Sequence, residues 1–277
     1  MAKGIGLIGN FRGKVGNMVG YNLKDSNNKQ TQGVRVYQPV VKNPKTYGQA
    51  EQRAKLAPIN ATYRALKAII DRGQEGKAYG NKSRLAWLSA AMKAFNGAWY
   101  EKGAAVGYPA LIPLTKGSLS QPFTLDPDQG SMAINVTGIT SAGTTTIGAL
   151  STALIAAYPT LANGDQITFV VILSDGTNMK SFFESIVIET TSTAAIPSFM
   201  SITDGVIQIV ANGGDQVAQA IIVSREGDNG SHLRTSSSLI STDNYELSLL
   251  ETAAKEAAIK SYMAAGANTD WAEESLQ

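Results

Sequence analysis

Cysteine is absent from this chain of 277 residues, and histidine occurs only once. Without thiols the chain can form no disulfide, no zinc–thiolate site and no cysteine nucleophile. No apolar run approaches the roughly 18 residues that a membrane-spanning helix needs. The apolar run at the N-terminus is short and interrupted by glycine, unlike the core of a secretory signal. We therefore expect a soluble intracellular product without a membrane partner.

Recognisable catalytic motifs are also lacking. The letters G-x-G-x-x-G occur at residues 4–9, but only three residues precede them, where the dinucleotide fingerprint needs a strand. His232, with Ser231 or Asp228 nearby, lies in a predicted polar loop, where a surface histidine is far more common than a triad member. We therefore expect no enzyme, no cofactor and no metal.

Charge is distributed very unevenly along the chain. Residues 1–117 contain 19 lysines and arginines and 5 aspartates and glutamates, a net charge of +14. Residues 118–277 contain 5 basic and 17 acidic residues, a net charge of −12. A division this sharp indicates two units with different neighbours.

The basic part predicts a β-hairpin followed by two helices. Strands are expected at 15–23 and 34–41, joined by a polar stretch. Thr46 and Gln49 fit a capping box, so a helix should begin near residue 47, and Pro58 should kink or split it. A second helix is expected at 82–100, packed on the first as a helical hairpin. The predicted buried stripes are Leu56, Ile59, Tyr63, Leu66 and Ile70 on the first helix, and Leu85, Leu88, Met92, Phe95 and Trp99 on the second.

The acidic part is rich in serine, threonine and β-branched residues. Its predicted elements are a short helix at 150–158, a C-terminal helix at 245–265, and strands at 132–139, 166–173, 182–190, 206–210 and 216–223. Residues 163–174 resemble residues 213–224, which indicates either two related hairpins or chance similarity.

Together these patterns predict an α+β fold. The N-terminal β-hairpin and helical hairpin form a basic domain at 1–117. A β-rich, sandwich-like acidic domain follows at 118–245, and a C-terminal helix and tail occupy 246–277.

The basic residues of the first domain are the candidate site, because lysine and arginine attract phosphate independently of sequence. Tyr21, Tyr37 and Tyr47 are interleaved with them and can stack on bases. The alternative is a solvated basic face, or one that pairs with the acidic half of this or a neighbouring chain. The candidate polyanion-binding residues are Arg12, Lys14, Lys24, Arg35, Lys42, Lys45, Arg53, Arg64 and Lys67.

The N-terminal third carries a family resemblance. Residues 13–21 read GKVGNMVGY, residues 41–46 read VKNPKT, and Gln49, Gln52 and Arg53 follow. This pattern is similar to an uncharacterised family of Bacteroidota and of the phages that infect them, over roughly residues 5–60. The family has no assigned activity, so no site residues are transferred. The resemblance implies a phage or prophage product that forms part of a virion.

The leading hypothesis is a virion-associated structural protein whose basic half contacts nucleic acid or an acidic protein surface. Other virion proteins and further copies of the chain are expected partners, and the expected location is the virion or the host cytoplasm. Two alternatives stay open. One is a nucleic-acid-binding protein that acts in the host outside the virion, and the other is an adhesion or decoration module.

Overall fold

The computed structural model describes residues 13–24, 30–37, 46–95, 98–123, 134–227, 230, 232–242, 249 and 251–264. The chain forms two compact units, Met1–Lys45 and Thr46–Gln277. The division therefore falls inside the predicted 1–117 domain, and residues 46–117 belong to the larger unit. Among the helices in these ranges, none has both the length and the apolar character needed to cross a membrane.

The smaller unit contains the predicted hairpin as a three-stranded antiparallel sheet. Its strands, in spatial order, are β1 (Gly13–Val15), β2 (Met18–Lys24) and β3 (Gln30–Val36). The predicted strand 15–23 is interrupted because Gly16 and Asn17 form a two-residue turn. Gly16 has a φ of 57° there, a conformation that glycine adopts without steric cost.

The larger unit contains the five α-helices of the described residues. Thr46 caps the first of them, accepting a hydrogen bond of 3.4 Å from the amide of Gln49, as predicted. This helix continues through Pro58, and the break comes at Leu66 instead, where the backbone leaves the helical region. The helices are α1 (Tyr47–Ala65), α2 (Lys67–Ile70), α3 (Asn81–Lys93), α4 (Ile147–Ala157) and α5 (Thr252–Ala264).

The predicted buried stripe is confirmed for three of its five residues on α1 and α2, and on α3 it is wrong for Leu85. The helix α3 also ends at Lys93 and not near residue 100. Ile59, Leu66 and Ile70 are fully buried. On α3, however, Leu85 is 54% exposed, and the buried side chains are Ser83, Trp87 and Ala91. The Trp87 side chain is held inward by the segment at Pro113, because its indole N–H donates a hydrogen bond of 2.8 Å to the Pro113 carbonyl.

The expected helical hairpin is only part of the helix packing. The N-terminal half of α1 packs on α5, where Ala50 and Ala54 contact Ala258 and Ile259 in a small separate core. Small side chains on both helices allow this close approach. The C-terminal helix predicted at 245–265 is thus held against the basic part of the sequence.

In the part of the larger unit that the structure describes, ten strands form three antiparallel sheets. The main sheet has the order β11-β10-β6-β7, with β13 also paired to β10, and the small sheets are β12-β4 and β5-β9-β8. The strands are β4 (Pro113–Thr115), β5 (Ile134–Asn135), β6 (Gln166–Ser174), β7 (Met179–Val187), β8 (Met200–Thr203), β9 (Val206–Ile209), β10 (Asp215–Glu226), β11 (His232–Arg234), β12 (Ser237–Ser238) and β13 (Ile240–Ser241).

The main sheet is covered on both faces. Phe169 and Val171 point into a core shared with α4 and the sheet β5-β9-β8. Val170 and Ile172, which alternate with them, point into a core shared with α1, α2 and α3. Burial on both sides explains the unbroken apolar run Phe169–Leu173 within β6. The α+β class is therefore confirmed, with a sandwich-like packing on one face and helices on the other.

The two similar segments of the sequence lie side by side. β6 and β10 pair with each other, so that Gln166 lies opposite Ser224 and Ser174 lies opposite Asp215. This antiparallel pairing of equivalent strands gives the sheet a local two-fold relation. On its other side, β6 pairs with β7 and β10 pairs with β11, each as a hairpin.

One end of this strand pair is closed by a buried ion pair. The two oxygens of Asp165, a fully buried residue, accept hydrogen bonds of 2.6 and 2.7 Å from Arg225. Arg225 also donates to the carbonyl of Thr160 at 2.9 Å, and the amide of Ala162 donates to Asp165 at 2.8 Å. The hydrogen bond and charge of Asp165 raise the pKa of Arg225. At the equivalent positions of the other end, Asp215 and Asp175 are both acidic, so no such pair forms.

Candidate polyanion-binding surface

The N-terminal sheet has one basic and aromatic face. The register places Lys14 opposite Val19, and Val19 opposite Arg35, so these three side chains share one face. Alternation along the strands puts Tyr21 and Tyr37 on the same side. The ammonium group of Lys14 lies 3.7 Å from the centre of the Tyr37 ring. We call Lys14, Tyr21, Arg35 and Tyr37 the basic face.

The opposite face of this sheet is apolar. It carries Val15, Met18, Val34 and Val36, all of which are exposed, Val36 to 72%. Apart from Val19, these apolar side chains lie on the face opposite Lys14 and Arg35. The cationic side chains therefore act together on one surface.

Tyr21 is fixed on the basic face by a glycine. A methyl group added at Gly33 would come within 2.7 Å of the Tyr21 ring, so the ring lies against the bare backbone of β3. A ring held this way is ordered before any ligand arrives, which lowers the entropy cost of stacking on it.

Within the described residues of its sheet, the basic face has no acidic neighbour. Residues 1–45 contain eight lysines and arginines and a single acid, Asp25. The described strands of the unit, 13–24 and 30–37, contain no acidic residue at all. Lys14 and Arg35 also form no salt bridge in the part of the chain that the structure describes.

The nine predicted residues divide between the two compact units. In the smaller unit, Lys14 and Arg35 are exposed on the basic face. Lys24 belongs to β2, but its side chain lies outside the described structure, and Arg12, Lys42 and Lys45 lie outside the described residues altogether.

The other three predicted residues belong to the larger unit. Arg53 on α1 is half-buried, and Arg64 on α1 and Lys67 on α2 are exposed. Arg53 and Arg64 are eleven residues apart, about three turns, and therefore lie on one side of the unbroken α1. Lys67, in contrast, follows the break at Leu66.

A second group of cations surrounds a groove that the sequence did not indicate. Two cavities of about 770 and 530 Å³ share residues 74–77 as lining. Arg234 and His232 of β11 meet Arg72 and Lys77 there, although about 160 residues separate them in sequence. The pairing of β11 with β10, together with the hydrogen bond from the Arg234 amide to Glu75, holds β11 against the segment between α2 and α3. The cationic groove consists of Arg72, Lys77, Lys93, Lys116 and Arg234.

Among the described residues that line the two cavities, Glu75 is the one acid, and its carboxylate already accepts hydrogen bonds. It accepts hydrogen bonds from the Ser118 amide at 2.9 Å, the Ser118 hydroxyl at 2.7 Å and the Arg234 amide at 3.2 Å. The backbone hydrogen bond from Ser118 is the main reason that the pKa of Glu75 is lowered. Burial lowers the pKa of Arg234. The negative charge of Glu75 raises this pKa, and the positive charge of Arg72 lowers it further.

The comparison with protein families matches residues 10–172 to one model, which is more than half of the chain. The chain belongs to this family of unknown function, DUF6266. Comparison with curated proteins and with solved structures gives no significant match. The DUF6266 match includes the N-terminal sheet, the helices α1 to α4 and most of β6.

The DUF6266 match contains the whole basic face but only part of the cationic groove. The basic face lies entirely within the matched residues. The cationic groove combines matched residues such as Arg72 with Arg234, which lies beyond the match. His232 is exposed at the start of β11, whereas Ser231, Asp228 and the glycine motif at 4–9 lie outside the described residues.

Proposed function

We propose that this protein is a structural component of a phage virion that contacts nucleic acid, or an acidic partner protein, through the basic face. The observation that carries the proposal is the two-sided N-terminal sheet, with Lys14, Arg35 and two tyrosines on one face and no acid on its described strands. The phage context is supported by the family resemblance of residues 13–53.

The chemistry of the basic face favours a polyanion over a specific base sequence. Lysine and arginine attract phosphate through charge, which salt weakens. Tyr21 and Tyr37 offer flat rings on which unpaired bases can stack. The face offers two cations and two phenols, and no pair of amide side chains of the kind that reads base edges.

The test is binding of the full chain to a short DNA duplex and to the corresponding single strand at about 50 mM and about 300 mM salt. The variant Lys14→Glu/Arg35→Glu reverses both cations of the basic face. The matched control, Lys82→Glu/Lys102→Glu, changes the net charge equally at two exposed lysines of the larger unit.

We expect the basic-face variant to lose most of its affinity for DNA at low salt. The slope of the logarithm of the association constant against the logarithm of the salt concentration should become less steep by about 2. The control should retain most of its affinity. Equal losses in both variants, or no DNA binding by the unmodified chain, would refute the nucleic-acid part of the proposal. In that case, binding of the unmodified chain and the control to polyglutamate, but not of the basic-face variant, would indicate that the basic face binds an acidic protein.

Virion association has its own test. Mass spectrometry of purified particles should detect this chain at a fixed ratio to the other structural proteins. Its presence in infected cells and absence from particles would instead favour a nucleic-acid-binding protein that acts in the host.

A further inference from the structure

The strand β7 forms one edge of the main sheet. It pairs with β6 over nine residues, from Met179 to Val187. Apart from this pairing, its backbone groups form no backbone hydrogen bond within the described ranges. A row of free N–H and C=O groups of this length is a template for pairing with another strand, and proteins usually protect such edges.

The side chains of β7 do little to protect this edge. Phe183 and Val187 are 44% and 50% exposed, which is unusual for large apolar residues on an open strand. The only charged residues of the strand, Lys180 and Glu184, are both exposed and form no salt bridge in the described structure. They lie on the same face of the sheet but about 13 Å apart, too far to pair within one copy.

The charge pattern of β7 is complementary to itself. In an antiparallel pair of two β7 strands centred on Phe182, Lys180 of each copy lies opposite Glu184 of the other. Two cross-strand ion pairs then form around the two-fold axis, and opposite charges in such positions stabilise strand pairing. Phe182 lies opposite its own copy, and Ser181 lies opposite the exposed Phe183, so no like charges meet.

We propose that two copies of this chain associate through antiparallel pairing of their β7 strands, with the two-fold axis at Phe182, so that their main sheets form one continuous sheet. The occupant of the edge is thus a second copy of the chain. The inference does not depend on the basic face or on the binding of a polyanion.

The absence of natural cysteines allows a direct test of the register. In the variant Lys180→Cys/Glu184→Cys, each introduced thiol should lie opposite the other position in the second copy, within the distance that a disulfide spans. Mild oxidation should therefore give a covalent dimer on a non-reducing gel. The single variants Lys180→Cys and Glu184→Cys are matched controls. In this register, the same position in the two copies is offset by four residues, which is too far for a disulfide.

Charge reversal tests the same contact without cross-linking. In sedimentation experiments on the full chain, Lys180→Glu or Glu184→Lys alone should raise the dimer dissociation constant by about tenfold or more, since each places like charges opposite each other twice. The double variant Lys180→Glu/Glu184→Lys restores opposite charges and should restore the dimer. A chain that is monomeric throughout, single cysteines that cross-link as well as the pair, or charge variants that all dimerise like the unmodified chain would overturn the proposal.

Discussion

Replacement of Arg225 by methionine tests the physical account of the main sheet most directly. Arg225 provides two hydrogen bonds to the buried carboxylate of Asp165 and one to the carbonyl of Thr160. Methionine preserves much of the apolar side-chain volume but removes the charge and all three donors. Asp165 would then be left buried with a single side-chain hydrogen bond, from the amide of Ala162.

The expected cost follows from the burial of the two partners. Breaking a fully buried ion pair by removing one partner costs about 3–5 kcal/mol, mostly because the other charge is left without compensation. The Asp165 side chain is 1% exposed, but that of Arg225 is 34% exposed, so water reaches part of the pair. We therefore expect a smaller loss, about 2–3 kcal/mol in the free energy of unfolding. The double variant Asp165→Asn/Arg225→Met removes the uncompensated charge and should recover part of this loss.

Urea unfolding followed by tryptophan fluorescence measures the effect, because Trp87 and Trp99 are buried in the larger unit. The control is Asp215→Asn, at the position equivalent to Asp165 in the second sequence copy, where the side chain is exposed and should tolerate the change within about 0.5 kcal/mol. An Arg225→Met variant as stable as the unmodified chain, or a double variant less stable than Arg225→Met, would refute the reasoning.

Two further predictions concern the segments around the cationic groove and the start of α1. Glu75→Gln should cost about 1 kcal/mol at neutral pH, because three donors lose a charged acceptor. Folding lowers the pKa of Glu75. The Glu75 carboxylate therefore stabilises the folded state fully above its unfolded-state pKa of about 4.3, and this stabilisation is lost as the pH falls through the folded-state pKa. The stability gap between the two proteins should therefore narrow below about pH 4 in acid-dependent urea titrations, and a constant gap would contradict this account. Gly117→Ala should cost about 2–3 kcal/mol, because its methyl group would lie 1.9 Å from the carbonyl oxygen of Arg234. Gly48→Ala, on the open surface of α1, should instead stabilise by about 0.5 kcal/mol, and equal effects of the two substitutions in thermal melts would show that close approach is not the cause.

Local patterns were sufficient where a feature depends on neighbouring residues. The Thr46 cap and the buried Ile59, Leu66 and Ile70 of α1 and α2 followed from spacing, because a helix places residues three and four apart on one side. The hairpin of the smaller unit and the strands β6 and β10 followed from β-branched runs between turns. The presence of Lys14 and Arg35 in a basic element was also visible from the sequence.

Patterns were insufficient where burial depends on a distant part of the chain. The apolar spacing of α3 selected Leu85, but the carbonyl of Pro113 and the core opposite α3 select Trp87. A face becomes the inner one only because something packs against it, and that partner lies elsewhere in the sequence.

The sequence by itself determined two properties that depend on composition: the lack of thiols, and the separation of basic and acidic residues along the chain. Tertiary structure alone decided which strands meet. It paired the two similar segments β6 and β10, brought Arg234 to Arg72, and left β7 at an edge. The physical reason is that helix and strand periodicity is a property of consecutive residues, whereas strand order depends on contacts between segments that are far apart in the chain.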